Sequence, residues 1–299
     1  MLKVDNVTKY YGDFRAVHNL SFSVKEGEIF GLLGVNGAGK TTTFRMILGL
    51  LSRDSGTITL DGKNIDYSIT DKIGFLTEER SLLVKMTVKE QILYYATLKG
   101  MDEKTILKRL KYWLNRFGIS SYENKKIKEL SKGNQQKVQF ITAIIHNPKL
   151  LILDEPFSGL DPINVAEIME VIRELKNKKT IIIFSSHRME HVEMFCEKLV
   201  VLVNGESVLK GSLEEIKKEY EKKNIFIKAS VKENELKQIP GVLEVEKTND
   251  EYKVKIDKFN SKNNVFEYLK TCSDVTKFSV EDASLNEIFL DKVGGKYEK

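Results

Sequence analysis

Two hydrophobic periods divide the chain. Near the N-terminus apolar residues fall in strand-length runs at 2–7, 16–24 and 29–33, and 55–61 predicts a further short strand punctuated by Gly56 and Gly62. From about Thr87 the period lengthens. Thr87-Val88-Lys89-Glu90 reads as a capping box whose helix runs toward Gly100. Asp102 caps a second helix, in which Ile106, Leu107, Leu110, Trp113, Leu114 and Phe117 form one apolar stripe closed by Gly118. A helical block is therefore expected over about residues 86–147, set into a strand-rich core.

Strand signals return at 150–154, 180–185 and 199–202, the first two separated by a helix with Asp161 as N-cap and Pro162 at its first position. Alternating strand and helix implies parallel pairing, with ligands held at the C-terminal strand ends. Gly34, Asp154 and Ser185 all fall at such ends. Beyond a second capping box, Ser212-Leu213-Glu214-Glu215, the composition turns rich in lysine and asparagine. Strand 225–230, helix 233–239, strands 242–247 and 252–257, helix 262–271, strand 275–280 and a helix from Ser284 follow. That βαββαβ order predicts a small α+β, ferredoxin-like domain over residues 223–299, after a first domain over 1–222.

The chain has 299 residues, 41% hydrophobic and 30% charged, which describes a soluble globular protein of two domains. Its longest apolar stretches are far short of the ~20 residues of a membrane helix. The N-terminus lacks a secretory apolar core and already reads as a strand. Cys196 and Cys272 have no metal-ligand spacing, so reduced thiols in a cytosolic compartment are expected. A net charge of +5 is too modest to argue for an acidic lipid surface or for nucleic acid, and no nucleic-acid partner is expected.

The sharpest chemistry lies in Gly34-Val35-Asn36-Gly37-Ala38-Gly39-Lys40-Thr41, a full P-loop pattern between a short apolar run and a helix-forming segment. Its glycines let successive N–H groups turn inward as an anion nest. Lys40 is expected on the β- and γ-phosphates and the Thr41 hydroxyl on Mg²⁺, so a nucleotide and Mg²⁺ are the expected ligands. A buried strand, 150–154, ends in Asp154 and Glu155. Asp154 is placed to bind Mg²⁺ opposite Thr41, and Glu155 to polarise the attacking water as general base.

Taken with Leu130-Ser131-Lys132-Gly133-Asn134-Gln135-Gln136, the Leu153-Asp154-Glu155-Pro156 step, Ser158-Gly159-Leu160-Asp161 and Ser186-His187, these motifs resemble the ATP-binding subunit of an ATP-binding-cassette (ABC) transporter. The resemblance covers about residues 1–220. A weaker likeness, around Ser284-Leu285-Asn286-Glu287-Ile288-Phe289, is to the accessory domain of bacterial export-type cassettes. The resemblance implies an α/β P-loop NTPase fold: a mixed core sheet, an antiparallel β subdomain and a helical subdomain.

It also implies a set of site residues. Gly34, Asn36, Gly37, Ala38, Gly39, Lys40, Thr41 and Thr42 would cradle the phosphates. Tyr11 would stack on adenine, with Val17 against the same ring and Tyr10 as the competing aromatic. Ser131, Lys132, Gly133, Asn134 and Gln135 would close over the ATP of a partner subunit, and Ser131 also reads as an N-cap. Ser158, Gly159, Leu160 and Asp161 would communicate across the dimer. His187 would contact the γ-phosphate and orient Glu155, while His18, His146 and His191 read as structural.

Two positions depart from the family pattern. Glu78 stands where the family usually has a Gln ligand of Mg²⁺; either the metal holds its carboxylate ionised or its pKa rises. Lys132 replaces the first signature glycine and either points to solvent or adds charge near the partner's γ-phosphate. The implied function is to hydrolyse ATP and power transport, with export favoured over import. The partners would be a membrane-spanning permease and a second ATP-binding subunit, identical or not, at the inner face of the cell membrane. The alternative, a soluble ABC-type ATPase acting on ribosomes or DNA, fits less well. Such proteins carry two cassettes or a very long coiled-coil insertion, and here there is one P-loop and a short 48–130 segment.

Overall fold

The computed structural model describes residues 1–79 and 81–297. The chain divides into two compact units, residues 1–210 and 211–299. The first begins with β1 (Leu2–Tyr11), β2 (Phe14–Val24), β3 (Ile29–Gly34), α1 (Lys40–Ile47), β4 (Ser55–Leu60), β5 (Lys63–Asn64) and β6 (Ile73–Leu76). The helical block follows as α2 (Val88–Leu98), α3 (Glu103–Arg116) and α4 (Lys132–Ile144). It closes with β7 (Leu150–Asp154), α5 (Pro162–Asn177), β8 (Ile181–Ser186), α6 (Met189–Phe195), β9 (Lys198–Val203) and β10 (Glu206–Ser212).

Two sheets share one core. The antiparallel sheet runs β2-β1-β4-β5 and the mixed core sheet β10-β9-β3-β8-β7-β6. Every residue of β3, β7 and β8 is buried, as parallel strands covered on both faces must be, and this explains their unbroken apolar runs. Phe22 of β2 stacks on Phe30 of β3 at 4.7 Å and ties the sheets together. β9 returns into β10 through Asn204-Gly205, both at positive φ, the two-residue turn that suits a twisted hairpin. In the helical block Thr87 forms its capping box with Glu90, and Asp102 accepts from the Thr105 amide. Phe117, following α3, meets Phe140 of α4 edge-on at 6.0 Å.

The expected elements recur with small shifts. β1 runs four residues beyond the apolar stretch because Lys9, Tyr10 and Tyr11 keep pairing with β2, down to Tyr11 opposite Phe14. β6 carries only four residues, too few for a period, and is fixed by parallel pairing with β7.

The second unit contains α7 (Leu213–Glu219), β11 (Lys223–Lys228), α8 (Glu233–Lys237), β12 (Val242–Thr248), β13 (Glu251–Ile256), α9 (Lys262–Leu269), β14 (Lys277–Asp282) and α10 (Leu285–Tyr297). Its sheet is antiparallel in the order β12-β13-β11-β14, the split βαββαβ arrangement. Ile225, Ile227, Tyr252, Val254 and Ile256 line one face and pack with Leu236, Val265 and Leu269. The expected boundary at 222 falls after α7, whereas α7 goes with the second unit. Lys223 Nζ donates to the Lys217 and Tyr220 carbonyls, and the Tyr220 hydroxyl reaches Asp291 at 2.9 Å.

Candidate functional site

The turn from β3 into α1 forms because its glycines occupy space and angles closed to other residues. Gly34 has φ +149°, and a Cβ there would lie 2.5 Å from the Leu202 carbonyl oxygen. Gly39 has φ +102°, and its Cβ would lie 2.5 Å from the Ala16 carbonyl oxygen. Gly37, at φ +80°, has open space around it. Gly39 is also the N-cap of α1 and offers no side chain to the helix, so the first-turn N–H groups stay available to an anion. Asn36 and Gly37 are exposed, Ala38 and Gly39 are buried, and Thr41 is exposed beside half-buried Thr42.

Lys40 is buried, with Nζ 2.6 Å from the Gly34 carbonyl oxygen and 3.1 Å from that of Val35. Burial pulls its pKa down, and the charges of Glu155, Asp154 and Glu78 oppose that pull. Asp154 ends β7 in register with Ser185 of β8. The Ser185 hydroxyl donates to Asp154 Oδ1 at 2.5 Å, and Thr41 hydrogen-bonds the same carboxylate. Burial raises the Asp154 pKa, and the Glu78 charge adds to the rise.

Glu155 is buried at φ +48°, left-handed backbone for a residue with a side chain. Burial raises its pKa, the direction a general base needs to approach neutrality, while His187 lowers it. His187 Nδ1 lies 2.9 Å from Glu155 Oε1, and the His187 amide also hydrogen-bonds the carboxylate. The structure thus brings Lys40, Thr41, Glu78, Asp154, Glu155 and His187 into one cluster at the C-terminal ends of β3, β7 and β8.

Ser131 caps α4 by accepting the Asn134 amide, and Ser131 and Lys132 are exposed. Gln135 is turned inward, its amide donating to the Ile127 and Leu130 carbonyls at 3.1 and 3.2 Å, so it braces the helix start rather than facing outward. Ser158, Gly159 and Asp161 are exposed, Leu160 half-buried, and Asp161 caps α5 through the Asn164 amide at 3.0 Å. Tyr10 and Tyr11 are both exposed near the β1–β2 turn. Val17 is fully buried, with Cγ2 beside Gly39, where it props the P-loop. His146 is structural as expected, with Nε2 3.2 Å from the Ile73 carbonyl oxygen.

Three further residues, to which the sequence pattern assigns no role of their own, complete the site. Ser185 joins Asp154 to the Glu155 amide; its place at the end of a predicted strand was the only signal. Gln136 donates to the Pro156 carbonyl, and Gln139 to the Thr77 carbonyl and hydroxyl, at 3.0–3.2 Å. Glutamines on an amphipathic helix carry no pattern that announces such contacts.

Residues 17–158 match the family described as ABC transporter, and residues 211–293 match the C-terminal domain of ATP-binding proteins like DrrA1-3. An uncharacterized ABC transporter ATP-binding protein, YhaQ of Bacillus subtilis, is 50% identical over 298 residues, covering 100% of both chains. The linearmycin resistance ATP-binding protein LnrL of the same organism is 36% identical over 215 residues, 71% of this chain and 69% of that one. A solved bacterial ABC transporter cassette described as dimeric superposes with a TM-score of 0.65 at 27% identity, over 71% of this chain and 99% of its own. With a glycine turn opening a helix, a buried carboxylate pair and an ABC transporter ATP-binding protein matched end to end at 50% identity, the chain belongs to the ATP-binding subunits of ABC transporters.

Proposed function

We propose that this subunit hydrolyses ATP within a head-to-tail dimer and drives export through a separate membrane-spanning permease. The observation that carries the reading is the Glu155 carboxylate, buried beside Lys40 and fixed by His187 at 2.9 Å. A water activated there attacks the γ-phosphorus; Glu155 takes its proton, the bond to the β-phosphate oxygen breaks, and ADP and phosphate leave. Lys40 and the amides of the glycine turn balance the phosphate charge. Ser131 and the first turn of α4 fit the γ-phosphate of the opposite nucleotide, so that ATP holds two copies together and its cleavage releases them.

The residues present fit a magnesium ion. Thr41 and Asp154 are hard oxygen donors already within hydrogen-bonding reach of each other, and Glu78 adds a third oxygen near them. Among the described residues no cluster of three or more acidic, His or Cys side chains forms a cage of its own, as suits a metal that shares phosphate oxygens. When bound, that ion neutralises charge on the β- and γ-phosphates.

No helix among the described residues is long and apolar enough to cross a membrane, so a transport pathway would be supplied by a partner. Export is favoured by the accessory domain and by the resistance protein among the relatives. Glu155→Gln tests the mechanism: ATP should trap a stable dimer on gel filtration with turnover lost. A variant that stays monomeric in ATP, or keeps turning over, refutes it. Co-isolation of a polytopic membrane protein with the tagged subunit tests the partnership.

A further inference from the structure

Glu155 combines a left-handed backbone, φ +48°, with a proline as its next residue. Each disfavours the conformation, one by crowding Cβ against the carbonyl and the other through the proline ring. Such conformers persist where neighbours over-determine them. Here the Glu155 amide donates to Ser185 Oγ, the Ser158 amide donates to the Glu155 carbonyl, and Gln136 Nε2 donates to the Pro156 carbonyl, each at 3.1 Å. The first two bonds belong to the core sheet and to the turn itself. Gln136 comes from α4, where it is buried one turn behind Ser131.

A second contact joins the same helix to the same loop. A Cβ on Gly133 would lie 2.6 Å from Asn164 Nδ2, so any larger residue there would push the Asn164 side chain aside. The Asn164 amide donates in turn to the Asp161 carboxylate, and Lys137 of α4 pairs with Glu167 of α5. The opening turns of α4 are thereby clamped to both ends of the loop that runs from Glu155 into α5.

We infer that Gln136, backed by the Gly133–Asn164 contact, is a positioning residue that makes the geometry of Glu155 depend on the position of α4. The inference rests on the sandwich reading above, in which the start of α4 closes on the partner's nucleotide while Glu155 serves its own. Closure that moves α4 is then transmitted through one amide to the Pro156 carbonyl and sets the base. The two ATP sites of a dimer are coupled inside each protomer. Without the Gln136 donor, Glu155 relaxes toward ordinary backbone while the P-loop is untouched.

The test compares the full-length chain with Gln136→Met, which keeps the bulk but has no donor, and with Asn164→Ala, which leaves the α4 core packing alone. Turnover is followed across ATP concentrations, affinity is read with a fluorescent ATP analogue, and dimerisation is read in a Glu155→Gln background. Gln136→Met should lower kcat about tenfold or more while KM and analogue affinity stay within about twofold, the signature of an interaction needed only for the chemical step. Both variants should bring the Hill coefficient of turnover down from a wild-type value above unity. A kcat within about twofold of wild type, a fall matched by an equal loss of affinity, or a wild-type Hill coefficient of unity overturns the inference. Should Gln136→Met fail to fold, an unchanged Hill coefficient in Asn164→Ala overturns it alone. Failure of Glu155→Gln, with Gln136 intact, to dimerise in ATP overturns the sandwich reading instead, so the two failures are told apart.

Discussion

The Ser185 hydroxyl donates to Asp154 at 2.5 Å and accepts the amide of Glu155 at 3.1 Å, so one side chain on β8 aligns both acids at the end of β7. Ser185→Ala leaves a buried carboxylate and a buried amide each short of a partner. The variant should lose roughly 1–3 kcal/mol of stability in urea denaturation, and its turnover should fall about tenfold or more. A stability cost with unchanged turnover would show that the bond aligns nothing.

The P-loop glycines are not equivalent. Gly39→Ala adds a Cβ at φ +102°, 2.5 Å from the Ala16 carbonyl oxygen, whereas Gly37→Ala meets open space at φ +80°. The first should abolish binding of a fluorescent ATP analogue and cost more than about 2 kcal/mol. The second should carry only backbone strain, about 1–2 kcal/mol. Equal damage from both would contradict the close approach described for Gly39.

Acid should weaken the first unit through His146, whose pKa burial lowers from 6.5 to about 4. Between those values the unfolded chain binds the proton and the folded one does not. Stability is therefore fully present above about pH 6.5 and declines as the pH falls toward about 4, by at most about 3 kcal/mol. Urea midpoints from pH 7 to pH 4 should fall less steeply in His146→Gln than in wild type.

In the second unit the sign is that of an acid. Lys253 at 2.7 Å, the Ser284 amide and the Asn224 amide hold the Glu287 pKa down to about 2. Its contribution is present above the unfolded value of about 4.5 and is lost as the pH falls toward 2. Glu287→Ala leaves Asn224 buried without that acceptor and should cost about 2–4 kcal/mol in thermal unfolding at neutral pH.

Glu78 is exposed, so water screens its charge. Glu78→Gln should keep turnover within about threefold while raising the magnesium concentration needed for half-maximal rate. Complete loss of turnover would make the carboxylate itself essential.

The fold was legible wherever burial and caps act locally. The fully buried β3, β7 and β8 announce themselves as apolar runs, and Thr87, Asp102, Ser131, Asp161 and Ser212 all accept the amide their positions predict. The P-loop and the Asp154–Glu155 step were legible because their chemistry admits few residue types. The contact of Val17 with Gly39, across the fold, left no mark in the pattern. The contacts of Ser185, Gln136 and Gln139 stayed hidden for the same reason: each acts on a carbonyl, hydroxyl or carboxylate distant in sequence, and an alternating or helical pattern records burial but not what a polar tip touches.

Lys40 already spends two of its three protons on the Gly34 and Val35 carbonyls of its own turn. One proton is left over, and an anion that needs more than that must outcompete an internal acceptor that is within reach. A lone small ion, with nothing beyond one charge to offer, meets a threshold there. A longer polyphosphate engages the helix start as well and can exchange these contacts without a net loss. The loop's own carbonyls would thus set how much a ligand has to offer before Lys40 turns to it.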